Sequence, residues 1–285
     1  MKLVTALFAL WMICSPVSGN DSLDFAMEAF DARDFDTAIK SLETSAEASD
    51  DRDILFHLAR IQYRVEEFDD ALDTLEKLHN RYPDDVDAQY LLGLVYLSLV
   101  GEVNIFRKIS TAKRVLHAWE RAVEIDPGHL NARYAIFAYY ANAPGIAGGD
   151  LETAKTMQMQ LSQMDPGFGA MARGLLLSKN DDVEAAEAAF LEAISLIDRA
   201  GPHFTLAQFY MQTEQFQKAI AEVENFVRKD RQWWDPDITV AHLMTARANA
   251  GLGNIEIARS EASLALSLRP NKQIKGLLEE TLKSL

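Results

Sequence analysis

Self-similarity at a fixed spacing restricts this chain more than any other feature. Four stretches superpose: Phe35-Asp-Thr-Ala38-Ile, Phe68-Asp-Asp-Ala71-Leu, Phe216-Gln-Lys-Ala219-Ile and Ile255-Glu-Ile-Ala258-Arg. Each sets a bulky residue, then two mostly polar residues, then Ala. Ala38 and Ala71 lie 33 positions apart, and so do Ala186 and Ala219. A period of about 34 is that of a helix-turn-helix unit, which cannot bury its apolar face alone and must stack on its neighbours. The low content of helix breakers agrees, with only 8 Pro and 14 Gly in 285 residues.

A second signature keeps its own phase. Pro83, Pro127, Pro166 and Pro270 each close an apolar helical pattern. Proline lacks the donor and clashes with the preceding turn, so it ends a helix. Asp84 or Asp85 then caps the next one. In the third block, Leu92-Gly93 is followed three residues later by Tyr96, and Trp119, Ala122 and Pro127 come in the second helix. On these residues the chain resembles the tetratricopeptide repeat (TPR) family. The small Gly or Ala lets two antiparallel helices approach, and the aromatics fill the space between neighbouring repeats. The resemblance implies an all-α fold: a right-handed superhelical solenoid of about seven units, at 21–50, 52–83, 86–127, 130–166, 168–198, 200–231 and 239–270. A capping helix at 273–285 closes it. Unit four departs from the pattern in carrying Phe137 where a small residue is usual.

Three departures interrupt the repeat. Unit three holds about ten extra residues between Tyr96 and Val115, among them Ile105 and Phe106; these either lengthen the hairpin or fold over the groove. Unit four joins its helices through Asn142-Ala-Pro144-Gly145-Ile146-Ala-Gly148-Gly149-Asp150. That turn lacks the Lys-Ser/Thr of a phosphate loop, so its glycines serve a tight turn and Asp150 caps the next helix. Before unit seven stands Arg231-Gln-Trp233-Trp234-Asp-Pro236. Two adjacent tryptophans on a loop do not easily face one core. The alternatives are an exposed ring for a protein or a sugar, or a wedge packed between units six and seven.

The first 19 residues read as a secretory signal: Lys2, an apolar run from Leu3 to Ile13, then Val17-Ser18-Gly19 for cleavage. Cys14 is the only cysteine and falls within it, without the small preceding residue that lipidation needs. The mature chain at 20–285 then has no thiol, which fits a soluble bacterial periplasmic protein with no membrane insertion. A net charge of −15 disfavours nucleic acid and anionic membrane as partners.

No HExxH pair or Cys-His cluster occurs, and the Asp-rich joins have capping rather than EF-hand spacing. No metal, cofactor or catalytic residue is expected. In the TPR family the first helix of each unit lines the concave face. Its fifth position is Phe56, Tyr90, Tyr134 and Phe204 in units two, three, four and six. Tyr90 follows Phe56 by 34, and Tyr134 follows Tyr90 by 44, as the insertion requires. Arg60, Tyr63, Arg64 and Leu94 lie nearby, with Trp233 and Trp234 from the loop. This stripe is the candidate partner-binding surface, with Arg60 and Arg64 placed to fix an acidic group. Tyr is also the common family residue at that fifth position, so packing alone would explain it. The expectation is an adaptor that holds a peptide or protein in its concave groove. The rival is a ligand-binding module for envelope glycan or a small molecule. The sequence does not tell the partner's identity, the pathway or the oligomeric state.

Overall fold

The computed structural model describes residues 19–285, with the side chains of residues 19, 20, 102, 105 and 106 outside that description. The signal segment expected at 1–19 therefore lies outside the described residues, Gly19 apart. So do the side-chain contacts expected of Ile105 and Phe106.

Fifteen α-helices and no strand make up the described chain. They follow one another as antiparallel pairs. The pairs are α1 (Gly19–Asp31) with α2 (Phe35–Ala48), α3 (Arg52–Val65) with α4 (Phe68–Arg81), and α5 (Val86–Glu102) with α6 (Ile105–Ile125). Next come α7 (Leu130–Asn142) with α8 (Leu151–Met164), α9 (Pro166–Lys179) with α10 (Val183–Leu196), α11 (Ala200–Gln212) with α12 (Phe216–Arg228), and α13 (Ile238–Gly251) with α14 (Ile255–Ser267). Helix α15 (Lys272–Ser284) packs on α13 and α14. The chain is an all-α solenoid, as the sequence led one to expect.

The recurring Ala is the reason the pairs can close. Ala38, Ala71, Ala186, Ala219 and Ala258 are all 0% exposed. Each sits where a larger side chain would push two helices apart. Gly93 plays the same part more severely: a Cβ there would fall 2.1 Å from Trp119 Nε1. That indole donates to the Tyr90 carbonyl at 3.2 Å, which fixes α6 against α5. Phe137, which breaks the usual pattern, is nonetheless fully buried and stacks on Tyr134.

The joins explain the scattered acids. Asp34, Asp51, Asp85, Asp150, Asp165, Asp182 and Asp237 each accept a backbone N–H from the first turn of the following helix. Capping satisfies donors that a helix start leaves open. The hairpin turns use one further device. Arg33, Glu66, Asp181, Glu214 and Gly253 all adopt positive φ, between 52° and 76° as a set with Arg269. They recur at the same point of units one, two, five, six and seven. Unit three dispenses with it, and unit four uses a longer turn of its own. In unit three the extra residues lengthen both helices, to 17 and 21 residues. In unit four Gly148 takes φ +97°, and a Cβ on Gly149 would strike the Ala143 carbonyl.

The curvature carries the last units round to the first. Arg33 reaches Asp237 with two hydrogen bonds of 3.0 Å and also donates to the Leu268 and Arg269 carbonyls. Glu66 accepts from the Gln273 amide at 3.0 Å. The turns of the first two hairpins thus hold the starts of α13 and α15, more than 200 residues away.

Candidate partner-binding site

The linker 231–237 between α12 and α13 crosses the face where the aromatic stripe lies. Trp233 packs edge-on to Phe56 at 5.3 Å and to Tyr90 at 5.9 Å. Trp234 meets Tyr90 at 6.2 Å, and the two indoles are T-shaped to one another at 5.3 Å. Arg64 donates to the Trp233 and Asp235 carbonyls. Asp235 is buried and its carboxylate accepts from the Gln232 amide at 2.6 Å. Burial raises its pKa. Asp237 behaves oppositely. Burial again works against its charge, but hydrogen bonds from Arg33 and Thr239 and the charge of Arg64 outweigh it and hold the pKa at about 2.

Two expectations are corrected here. Neither tryptophan is exposed; both are half-buried. The wedge they form lies across α3 and α5, not between units six and seven. Two neighbouring side chains face the same core because the core comes from helices on the far side of the ring. Arg64 does hold an acidic group, but the group is Asp237 of the same chain, 3.8 Å away.

Of the residues expected in the site, all but Leu94 touch the linker or share a cavity wall with it. Phe56, Tyr90 and Phe204 are buried. Burial pushes the Tyr90, Tyr134 and Tyr63 hydroxyls up in pKa. Tyr90, Tyr134, Phe204 and Trp234 line a remaining space of only about 170 Å³. A peptide strand cannot enter there while the linker stays.

An open surface lies beside the stripe. Leu94, Leu97 and Val100 of α5, Ile109, Ala112 and Val115 of α6, and Ala135 and Ala138 of α7 line a groove of about 710 Å³. The turn of unit four adds Pro144 and Ile146, held by a hydrogen bond from the Tyr139 hydroxyl to the Ala147 carbonyl. Leu97 is 49% and Ile146 78% exposed. Leu94 and Tyr134 belong to it as well. Lys108 lines this groove, and the sequence from 105 to 119, most of α6, also carries Arg107, Lys113 and Arg114 and no acid. Among the described residues none of these four is ion-paired; Arg114 lies over the Tyr96 ring at 5.7 Å. The sequence reading passed over this basic run, although it is plain in a chain of net charge −15. It passed over Leu97 because nothing in sequence shows which apolar position stays uncovered.

No described helix is long and apolar enough to cross a membrane. Among the described residues no group of three or more His, Cys, Asp or Glu is arranged to hold a metal ion.

Residues 29–95 match the tetratricopeptide repeat family. No curated protein matches the chain. Solved structures share its fold at low identity. A thermophilic TPR protein in Thermus thermophilus is 16% identical, over 82% of this chain and 99% of that one, with a TM-score of 0.50. A tetratricopeptide repeat protein from Parabacteroides merdae ATCC 43184 is 17% identical, over 93% of this chain and 98% of that one, with a TM-score of 0.54. The human IFIT1 dimer with m7Gppp-AAAA is 18% identical over 89% of this chain, with a TM-score of 0.56, and only 55% of that chain is spanned. The repeat signatures, the helical hairpins and the family match over residues 29–95 agree that the chain is built of tetratricopeptide repeats.

Proposed function

We propose that this protein is an exported adaptor that docks an acidic, apolar-faced segment of a partner protein in the groove between α5, α6 and α7. The observation that carries the reading is an open apolar groove bordered by Lys108, on a helix whose run from 105 to 119 is basic and free of acids. Its neighbour, the aromatic stripe, is occupied by the chain's own linker. The α6 wall runs from Lys108 to Trp119. At about 1.5 Å per residue that is roughly 17 Å, or three turns of a docked amphipathic helix. Aliphatic side chains on such a helix would bury against Leu97, Ile109 and Ile146. A carboxylate at its edge would meet Lys108, while Arg107, Lys113 and Arg114 of the same helix add long-range attraction that steers association.

Export rests on the N-terminal segment, and the intact mass of mature protein should correspond to a chain starting at Asn20. Retention of Met1 would contradict it. For the groove, the test is affinity of a partner recovered from an envelope extract. Leu97→Glu and Ile146→Glu should each weaken it at least about tenfold, a loss of about 1.4 kcal/mol. Both side chains are exposed, so helicity should be unchanged. A partner that binds both variants as tightly as the parent is held elsewhere. The glycan reading loses its exposed tryptophan, since both rings are engaged with Tyr90.

A further inference from the structure

We infer that a second cavity, enclosed by α1, α3 and the 231–237 linker, binds a small organic carboxylate. It measures about 470 Å³ and shares no lining residue with the α5–α7 groove. Four guanidinium groups line it, those of Arg33, Arg60, Arg64 and Arg231, with Met27 and Phe30 as its apolar wall.

The acids of the same cavity do not match these cations. Asp237 is taken by both arms of Arg33, by Thr239 and by Arg64. Asp235 is tied to the Gln232 amide, and its burial favours the neutral form. Asp31 is exposed at the rim, and although its charge reaches Arg60, the two form no ion pair among the described residues. Among the described residues, then, Arg60 and Arg231 form no ion pair, though the charge of Arg231 acts on Asp235. Arg60 touches only Met27 Sδ at 3.6 Å and the face of Phe30 at 5.2 Å. Its Nε is buried with no acceptor, one of two such side-chain atoms among the described residues. Burial, then the charge of Arg64 against the opposing pull of Asp31, draws its pKa down to about 10, so it stays charged at neutral pH.

An unmet buried donor on a charged group is costly, and native structures rarely keep one without a reason. A carboxylate answers it, since its two oxygens fit the planar guanidinium fork. Met27 and Phe30 ask for a hydrocarbon body behind that headgroup, which inorganic anions lack. Arg231 is exposed and stands at the mouth. Trp233 forms part of the wall and reports occupancy.

The experiment is calorimetric titration of the full mature chain with hexanoate, phenylacetate, inorganic phosphate and hexylamine, with tryptophan fluorescence in parallel. Saturable one-to-one binding of both carboxylates, with a fluorescence change, is expected. Phosphate should bind at least tenfold more weakly and hexylamine not at all. Arg60→Gln and Arg231→Gln should each weaken the carboxylates at least tenfold, and Asp31→Asn should tighten them. Arg231 is exposed, so its variant keeps the test decisive if Arg60→Gln disturbs the fold. No saturation by either carboxylate at millimolar concentration overturns the assignment. So does phosphate binding of equal strength, or affinity indifferent to both arginine variants.

Discussion

Gly93 shows two opposing effects meeting at one atom. Replacing glycine by alanine inside a helix ordinarily stabilises it by about 0.8–1 kcal/mol. Here the added Cβ would lie 2.1 Å from Trp119 Nε1, and the indole has no free direction because it donates to Tyr90. Overpacking of this kind costs about 1–3 kcal/mol. Gly93→Ala should therefore destabilise the chain in urea unfolding, while an unchanged or raised midpoint would show that the ring yields freely. His57 supplies a second residue-scale outcome. Its Nδ1 is buried without a partner. Burial, and then the charges of Arg60 and Arg52 against the opposing pull of Asp53, hold its pKa at about 4. The unfolded chain takes up that proton near the ordinary value of 6.5. This contribution to stability is therefore complete above pH 6.5 and is lost as pH falls from there toward 4. The fall in melting temperature between pH 7 and pH 5 should be shallower in His57→Gln. An identical fall in the two proteins would mean that His57 titrates normally.

At the level of elements, the helices were legible and the linker's place was not. Pro83, Pro127 and Pro270, the buried alanines and the capping aspartates are local signals, and each acts within a few residues of itself. The landing place of Trp233 is not local. It depends on the summed curvature of seven hairpins, which brings the linker before α13 onto Phe56 and Tyr90, roughly 150 residues upstream. The sequence spacing puts the aromatics in register, yet what covers a face is decided by the whole ring. The linker's burial has a measurable consequence. Amides of 231–237 should exchange slowly for a loop, and Trp233→Ala should speed their exchange and destabilise the chain by about 2 kcal/mol, below the 3–5 kcal/mol of a fully buried aromatic because the ring is half-exposed. Fast exchange in the parent protein would mean that the linker stands away from the stripe.

Within an acidic molecule of net charge −15, positive charge gathers at the arginine-lined cavity and along α6 beside the open apolar groove. Repeat packing accounts for the buried alanines and aromatics, and capping accounts for the aspartates at the joins. Neither accounts for Arg107, Lys108, Lys113 and Arg114 forming no ion pair among the described residues, nor for Leu97 and Ile146 left exposed. These residues come from the two units that abandon the common hairpin turn, so the docking surface is made by the departures from the repeat. Closure of the ring through Arg33 and Asp237 fixes the linker over the repeat-encoded groove and leaves the α5–α7 groove free. The most direct measurement is a hydrogen-exchange footprint of a bound partner on the mature chain. The account predicts new protection in 94–100, 108–119 and 138–147, with the linker 231–237 unchanged. Protection confined to α3 and α11, with release of the linker, would contradict it and return the partner to the aromatic stripe.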